Sequence, residues 1–196
     1  MDALLMCGGR GSRLATEVEK PLVEIGGRLM VERVRRALEA SSVETTYAVV
    51  SPQAPLTREY LRRCELPLLE TSGAGYVQDL GEALANPRID RPVLTVATDL
   101  PLLDATAIDD VLAAYERRRT GDPAPSMTVC VPVEVKQRLG LTIDDRLRAD
   151  DSLAPTGLNV VGADGGREVR YVTEDTGVAT NVNRARDARI AEALCD

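Results

Sequence analysis

The amino-acid sequence predicts an α/β protein, a three-layer α/β/α sandwich on a mostly parallel, mixed sheet. Short apolar runs alternate with stretches of helical period along the chain. Glycine, proline and aspartate punctuate the junctions between them. No internal repeat, low-complexity tract or linker interrupts the alternation, so residues 1–196 read as one domain. Such sheets carry helices on both faces and bind ligands beyond the carboxyl ends of their strands.

Residues 1–7 (MDALLMC) form an apolar run that stops at Gly8-Gly9, a strand ending in a loop. A short apolar stretch over 21–25 and a Gly26-Gly27 turn lead into a helix over 29–40. There Leu29, Met30, Arg33, Val34, Ala37 and Leu38 recur at helical spacing. Residues 47–51 predict a strand closed by Pro52, 57–64 a helix, 66–70 a strand, and 75–85 a helix broken at Asn86-Pro87. The strongest buried-strand signal is 91–98 (RPVLTVAT), which runs into Asp99-Leu100-Pro101. A helix from Asp104 to about Arg119 has aspartate at its N-cap and three arginines in its last turn, matching the helix dipole. Residues 127–133 predict a strand, whereas 134–156 show mixed charge and no clean period. Short strands over 158–161 and 169–172 are joined by an Asp164-Gly165-Gly166 turn. A closing helix over 182–194 is capped at or near Asn183.

Composition excludes several chemistries. The chain has no histidine, which removes histidine general bases, histidine-assisted nucleophiles and most zinc sites. It has no Phe or Trp and a net charge of −7, a poor match to nucleic acid. Its four cysteines, Cys7, Cys64, Cys130 and Cys195, have no metal or redox spacing and read as free thiols. With no signal-peptide pattern and no bilayer-length apolar run, the expected location is cytoplasmic and away from membranes. Lysine occurs only at Lys20 and Lys136; every other basic residue is arginine.

The chemistry concentrates after the first strand, in LLMCGGRGSRL followed by Lys20-Pro21-Leu22. Three glycines within four residues let backbone N–H groups turn toward phosphate oxygens, and Arg10, Arg13 and Lys20 add positive charge to the same loop. The spacing is neither that of a Walker A loop nor that of a dinucleotide GxGxxG turn. Asp99 is the second focus. It leaves an apolar strand at its carboxyl end, where a hard carboxylate suits Mg²⁺ and phosphate oxygens.

These residues resemble the signature of the nucleotidyltransferases with a glycosyltransferase-A-like, Rossmann-like fold. Within that group EKPLVEIGGR, VVSPQAPLTREY, ETSGAGYVQDL and LAPTGLNVV resemble the archaeal guanylyltransferases that act on adenosylcobinamide phosphate. The resemblance implies GTP as donor, a phosphorylated corrinoid as acceptor, Mg²⁺ as cofactor and a homodimer. It implies catalytic roles for Arg13, Lys20 and Asp99, with Asp99 as metal ligand. A second ligand is left open among Asp175, Asn181 and Asn183. It implies nucleotide contacts from Leu5, Cys7, Gly8, Gly9, Arg10, Gly11, Ser12, Arg13 and Lys20. Ser51, Thr71, Ser72 and Gly73 would border the purine, the hydroxyls of Thr71 or Ser72 reading guanine beside backbone groups. Residues 134–156 and the 164–166 turn would flank the acceptor. Two alternatives stay open: a family member with another acceptor, such as a molybdopterin guanylyltransferase, and a non-catalytic GTP-binding regulator.

Overall fold

The first apolar run becomes strand β1 (Ala3–Met6), whose four residues are all buried, because a strand inside a sheet covered on both faces needs apolar side chains on both. The computed structural model describes residues 1–8, 14, 18–147 and 150–195. A single 3-10 turn at Lys20–Leu22 and a small antiparallel pair, β2 (Glu24–Ile25) and β3 (Arg28–Leu29), lead into helix α1 (Met30–Ala40). Its buried residues are Met30, Val31, Val34, Ala37 and Leu38, largely the stripe the spacing predicts. Next come β4 (Thr46–Val50), α2 (Pro55–Arg63), β5 (Leu68–Glu70), α3 (Tyr76–Leu84) and β6 (Val93–Ala97). Helix α4 (Ala105–Arg118) starts where Asp104 accepts the Ala107 N–H at 2.8 Å. The chain closes with β7 (Ser126–Pro132), α5 (Val133–Leu139), β8 (Leu153–Val161), β9 (Glu168–Val172), α6 (Thr176–Ala179) and α7 (Ala185–Ala193).

Among the described residues the main sheet runs β5-β4-β1-β6-β8-β7-β9. The first four strands are mutually parallel, β7 and β9 are parallel to each other, and β8 is antiparallel to both its neighbours. The carboxyl ends of β1, β4, β6, β7 and β9 therefore point one way, and β8 begins at that same edge. Helices α1 and α4 cover one face, packing Val31, Val34, Ile108 and Val111 on Leu5, Val50, Leu94 and Val96. On the other face Ala83 of α3 packs with Leu4, Met6, Val49, Leu69 and Val93.

The structure corrects the reading of the second half. The region of weak pattern holds α5 and the start of β8. In β8 buried and half-buried residues alternate over nine positions, and Pro155 and Gly157 within it hide the period from sequence. The register of β7 against β8 shifts at Val129. There the Asn159 amide oxygen accepts the Val129 N–H at 3.2 Å and the Thr156 hydroxyl donates to its carbonyl at 3.1 Å, so the irregular strand keeps its backbone satisfied. Strands β8 and β9 are not a hairpin across the 164–166 turn, because β7 lies between them. The closing helix has its N-cap at Arg184, next to Asn183, and the fully buried Asp187 carboxylate inside its first turn accepts from the N–H groups of Asn183 and Arg184. The described cysteines are all free.

Helices α1 and α2 are tied together by Glu32, which accepts from Arg35, Arg36 and the Tyr60 hydroxyl. Those bonds, led by the one to Arg35, lower its pKa from the usual 4.5 to about 2. A depressed carboxyl stabilises the fold above its unfolded pKa and loses that contribution as pH falls toward the folded value. Stability should therefore decline between about pH 4.5 and 2, and Glu32→Gln should flatten that decline when urea midpoints are followed against pH.

Candidate functional site

A cleft of about 480 Å³ opens at the carboxyl ends of β1, β4 and β6. Met6, Val49 and Ala97 supply its apolar surfaces. Gly8, Lys20, Thr98 and Asp99 line it together with Gln53, Gly73, Gly75, Tyr76 and Asp79. Gly9, Arg10, Gly11, Ser12 and Arg13 lie outside the described residues. Where that segment ends, Glu19 accepts from the N–H groups of Leu56 and Thr57 at 2.9 and 2.7 Å and from the Thr57 hydroxyl at 2.6 Å. It thereby supplies the N-terminal acceptors that α2, starting after Ala54, has no side-chain cap of its own to provide. That contact fixes the residue next to Lys20.

Lys20 Nζ donates to Asp99 Oδ2 at 2.8 Å and to Asn183 Oδ1 at 2.7 Å. The Lys20 and Asp99 side chains are 14% and 16% exposed, so water screens the pair only in part. The asparagines arrive through backbone geometry. Val182 is fully buried and its N–H donates to the Asp99 carbonyl at 2.8 Å. Asn181 and Asn183, on either side of it, both reach the Asp99 cluster. Asn181 Nδ2 donates to Asp99 Oδ1 at 3.3 Å, and its Oδ1 accepts from Lys136 Nζ at 2.9 Å. Lys136 also donates to the Ala179 carbonyl at 2.8 Å and is only 4% exposed. Burial lowers its pKa, while the charges of Asp99, Asp187 and Asp144 oppose that shift.

Both lysines of the chain thus end on one hydrogen-bonded line, Lys136–Asn181–Asp99–Lys20–Asn183. Sequence reasoning singled out Lys20 and missed the role of Lys136; the signal was lysine's rarity. An ammonium only donates, so Lys136 holds the Asn181 oxygen and turns its NH₂ toward Asp99. We expect Lys136→Met to lower turnover about tenfold, the usual cost of losing a group that orients a site residue. Nucleotide affinity should stay close to wild type when both are measured on the same protein.

A second cavity of about 260 Å³ adjoins the first and shares Ala97 and Asp99 with it. Lys136, Thr142, Asp144, Thr156, Gly157 and both asparagines line it. At Gly157, which lines this cavity, a Cβ would lie 2.6 Å from that of Ala97 and 3.3 Å from Asp99 Oδ1.

The other expected residues fall in different places. The side chains of Leu5 and Cys7 are fully buried in the core, and burial raises the Cys7 thiol far above its ordinary pKa. Ser51 Oγ donates to the Gly8 carbonyl at 3.4 Å, beside the start of the glycine loop. The Thr71 hydroxyl donates to the Val50 carbonyl and the Ser72 hydroxyl to Glu82, so neither is free as a donor for a base. Gly73 has φ +73°, a left-handed conformation that favours glycine. Asp175 caps α6, accepting the Val178 N–H at 2.8 Å, and lines a different cavity.

The donor set suits Mg²⁺ better than a transition metal. No group of three or more His, Cys, Asp or Glu converges among the described residues. A single carboxylate beside an amide oxygen is what an ion shared with substrate phosphates needs. Asp99 Oδ2 and Asn183 Oδ1 face a common point, now taken by the Lys20 ammonium. The Asn181 oxygen is committed to Lys136. Among the described residues no helix is long and apolar enough to cross a membrane.

Comparison with known proteins places the chain in a family. The chain is 29% identical over 200 residues to the adenosylcobinamide-phosphate guanylyltransferase of Methanocaldococcus jannaschii, covering 99% of this chain and 97% of that protein. It is 34% identical over 140 residues to the bifunctional protein GlmU of Anaeromyxobacter dehalogenans, covering 67% of this chain but only 28% of the relative. The structure of CMP:2-keto-3-deoxy-manno-octonic acid synthetase complexed with CTP superposes with a TM-score of 0.65 at 13% identity, over 98% of this chain and 97% of that one. Residues 3–188 match the MobA-like NTP transferase domain, and the chain belongs to that family of nucleotidyltransferases.

Proposed function

We propose that this nucleotidyltransferase moves a guanylyl group from GTP to the phosphate of adenosylcobinamide phosphate and releases pyrophosphate. The observation that carries the reading is the near full-length similarity to the Methanocaldococcus jannaschii guanylyltransferase. The cleft supports it, lined by Lys20 and Asp99 together with the glycines Gly8, Gly73 and Gly75.

An oxygen of the acceptor phosphate attacks the α-phosphorus, a new P–O bond forms, and the bond to the β-phosphate bridging oxygen breaks. A phosphate monoester has its second pKa near ~6, so the nucleophile is already largely a dianion at neutral pH. No general base is then required, which accords with a chain that has no histidine. Positioning and charge carry such a reaction. Lys20, with the Arg13 cation on the same loop, neutralises the triphosphate. Gly8, Gly9, Gly11 and Ser12 bring backbone N–H groups to it. Asp99 and Asn183 would hold Mg²⁺, which when bound offsets negative charge on the transferring phosphoryl group. The cavity on the far side of Asp99, toward Lys136 and Thr142, is the side from which the acceptor phosphate reaches the α-phosphorus.

The test is pyrophosphate release from GTP, ATP and CTP in Mg²⁺, with and without adenosylcobinamide phosphate. Release that needs both GTP and the corrinoid is expected. Release only with a molybdopterin or sugar-phosphate acceptor would reassign the substrate, and GTP binding without turnover on any acceptor would make the protein a binder.

A further inference from the structure

Among the described residues two carboxylates line the 480 Å³ cleft, and only one of them meets a lysine. Asp99 pairs with Lys20. Asp79, on α3, is 4% exposed and accepts the Gly73 N–H on Oδ1 at 2.8 Å. Its Oδ2 lies 3.3 Å from where a Cβ on Gly8 would stand, so the carboxylate fills the space between the Gly73 loop and the end of β1. The Gly73 peptide is held from its other side too, because Gln53 Nε2 donates to the Gly73 carbonyl at 2.9 Å. A buried carboxylate fixed in this way loses little further freedom when a ligand meets it.

The hydroxyls expected to read a base, those of Thr71 and Ser72, donate elsewhere. Guanine presents two neighbouring donors, N1–H and N2–H₂, and an ionised carboxylate only accepts. Adenine offers a bare N1 at the same edge, which a carboxylate oxygen repels. Resting on the reading of GTP as donor, we propose that Asp79 selects guanine by accepting from its N1–H and N2–H₂.

The experiment is calorimetric binding of GTP, ITP and ATP to the wild-type protein and to Asp79→Asn, in excess Mg²⁺. ITP lacks the 2-amino group but keeps N1–H. The wild type should bind GTP about 10–100-fold tighter than ITP, the range for a charge-assisted hydrogen bond, and ATP more weakly still. Asp79→Asn retains an oxygen for the Gly73 N–H but turns a donor toward guanine. Its GTP affinity should fall about 10–100-fold and the GTP-to-ITP ratio should collapse toward one. Equal losses for GTP and ITP, leaving the ratio unchanged, would overturn the proposal and leave Asp79 a loop brace. If the variant does not fold, the wild type decides alone: GTP, ITP and 1-methyl-GTP binding equally well overturns it. Wild-type protein that prefers another triphosphate overturns the donor assignment itself, and this inference with it.

Discussion

Asp99→Asn should reduce guanylyl transfer by on the order of 10²–10³-fold while leaving the fold intact. The variant keeps the shape of the side chain and one acceptor for Lys20 or Asn181, but it removes the negative charge among Lys20, Asn181 and the buried Lys136. That charge is what would bind Mg²⁺ against the pull of two neighbouring ammonium groups. The loss should appear in pyrophosphate release and, independently of turnover, as lost Mn²⁺ binding in a titration without nucleotide. Thermal melting should move by only a few degrees, roughly what 1 kcal/mol produces in a domain of this size. Near wild-type turnover would remove Asp99 from the catalytic site.

Lys20→Ala should cost about 10³-fold in kcat/KM, and here the sign of a second measurement is distinctive. In the structure the Lys20 ammonium sits 2.8 Å from Asp99 Oδ2 and 2.7 Å from Asn183 Oδ1, between the oxygens proposed to hold the metal. Without it, GTP should bind more weakly because a cation facing the triphosphate is gone. Mn²⁺ should bind the nucleotide-free protein more tightly because nothing competes for those oxygens. Lys20→Arg should not rescue activity, since a planar guanidinium cannot put a compact charge at that point. Weaker Mn²⁺ binding in Lys20→Ala would refute the shared position.

The α/β alternation was legible because strands in a covered sheet and helices against it leave different apolar periods, as at β1, α1, β6 and α4. Between 134 and 156 the signal failed for a physical reason. Helix α5 has seven residues and buries a lysine among its valines, and the Pro155 and Gly157 positions of β8 answer to the register shift and to Asp99 rather than to propensity. That β8 runs antiparallel between β6 and β7 was not readable either, since strand order depends on contacts distant in sequence.

The same division holds at the site. The glycine loop, Lys20 and Asp99 could be singled out from sequence alone, because phosphate and Mg²⁺ chemistry favour those residue types at the end of a strand. Asn183 rather than Asp175 beside Asp99, Lys136 behind Asn181, and Asp79 facing Gly8 were decided only by tertiary structure. Each depends on which loops meet at the carboxyl edge of the sheet. The Val182–Asp99 backbone bond and the course of α5 and α3 set that meeting, and no local pattern encodes it.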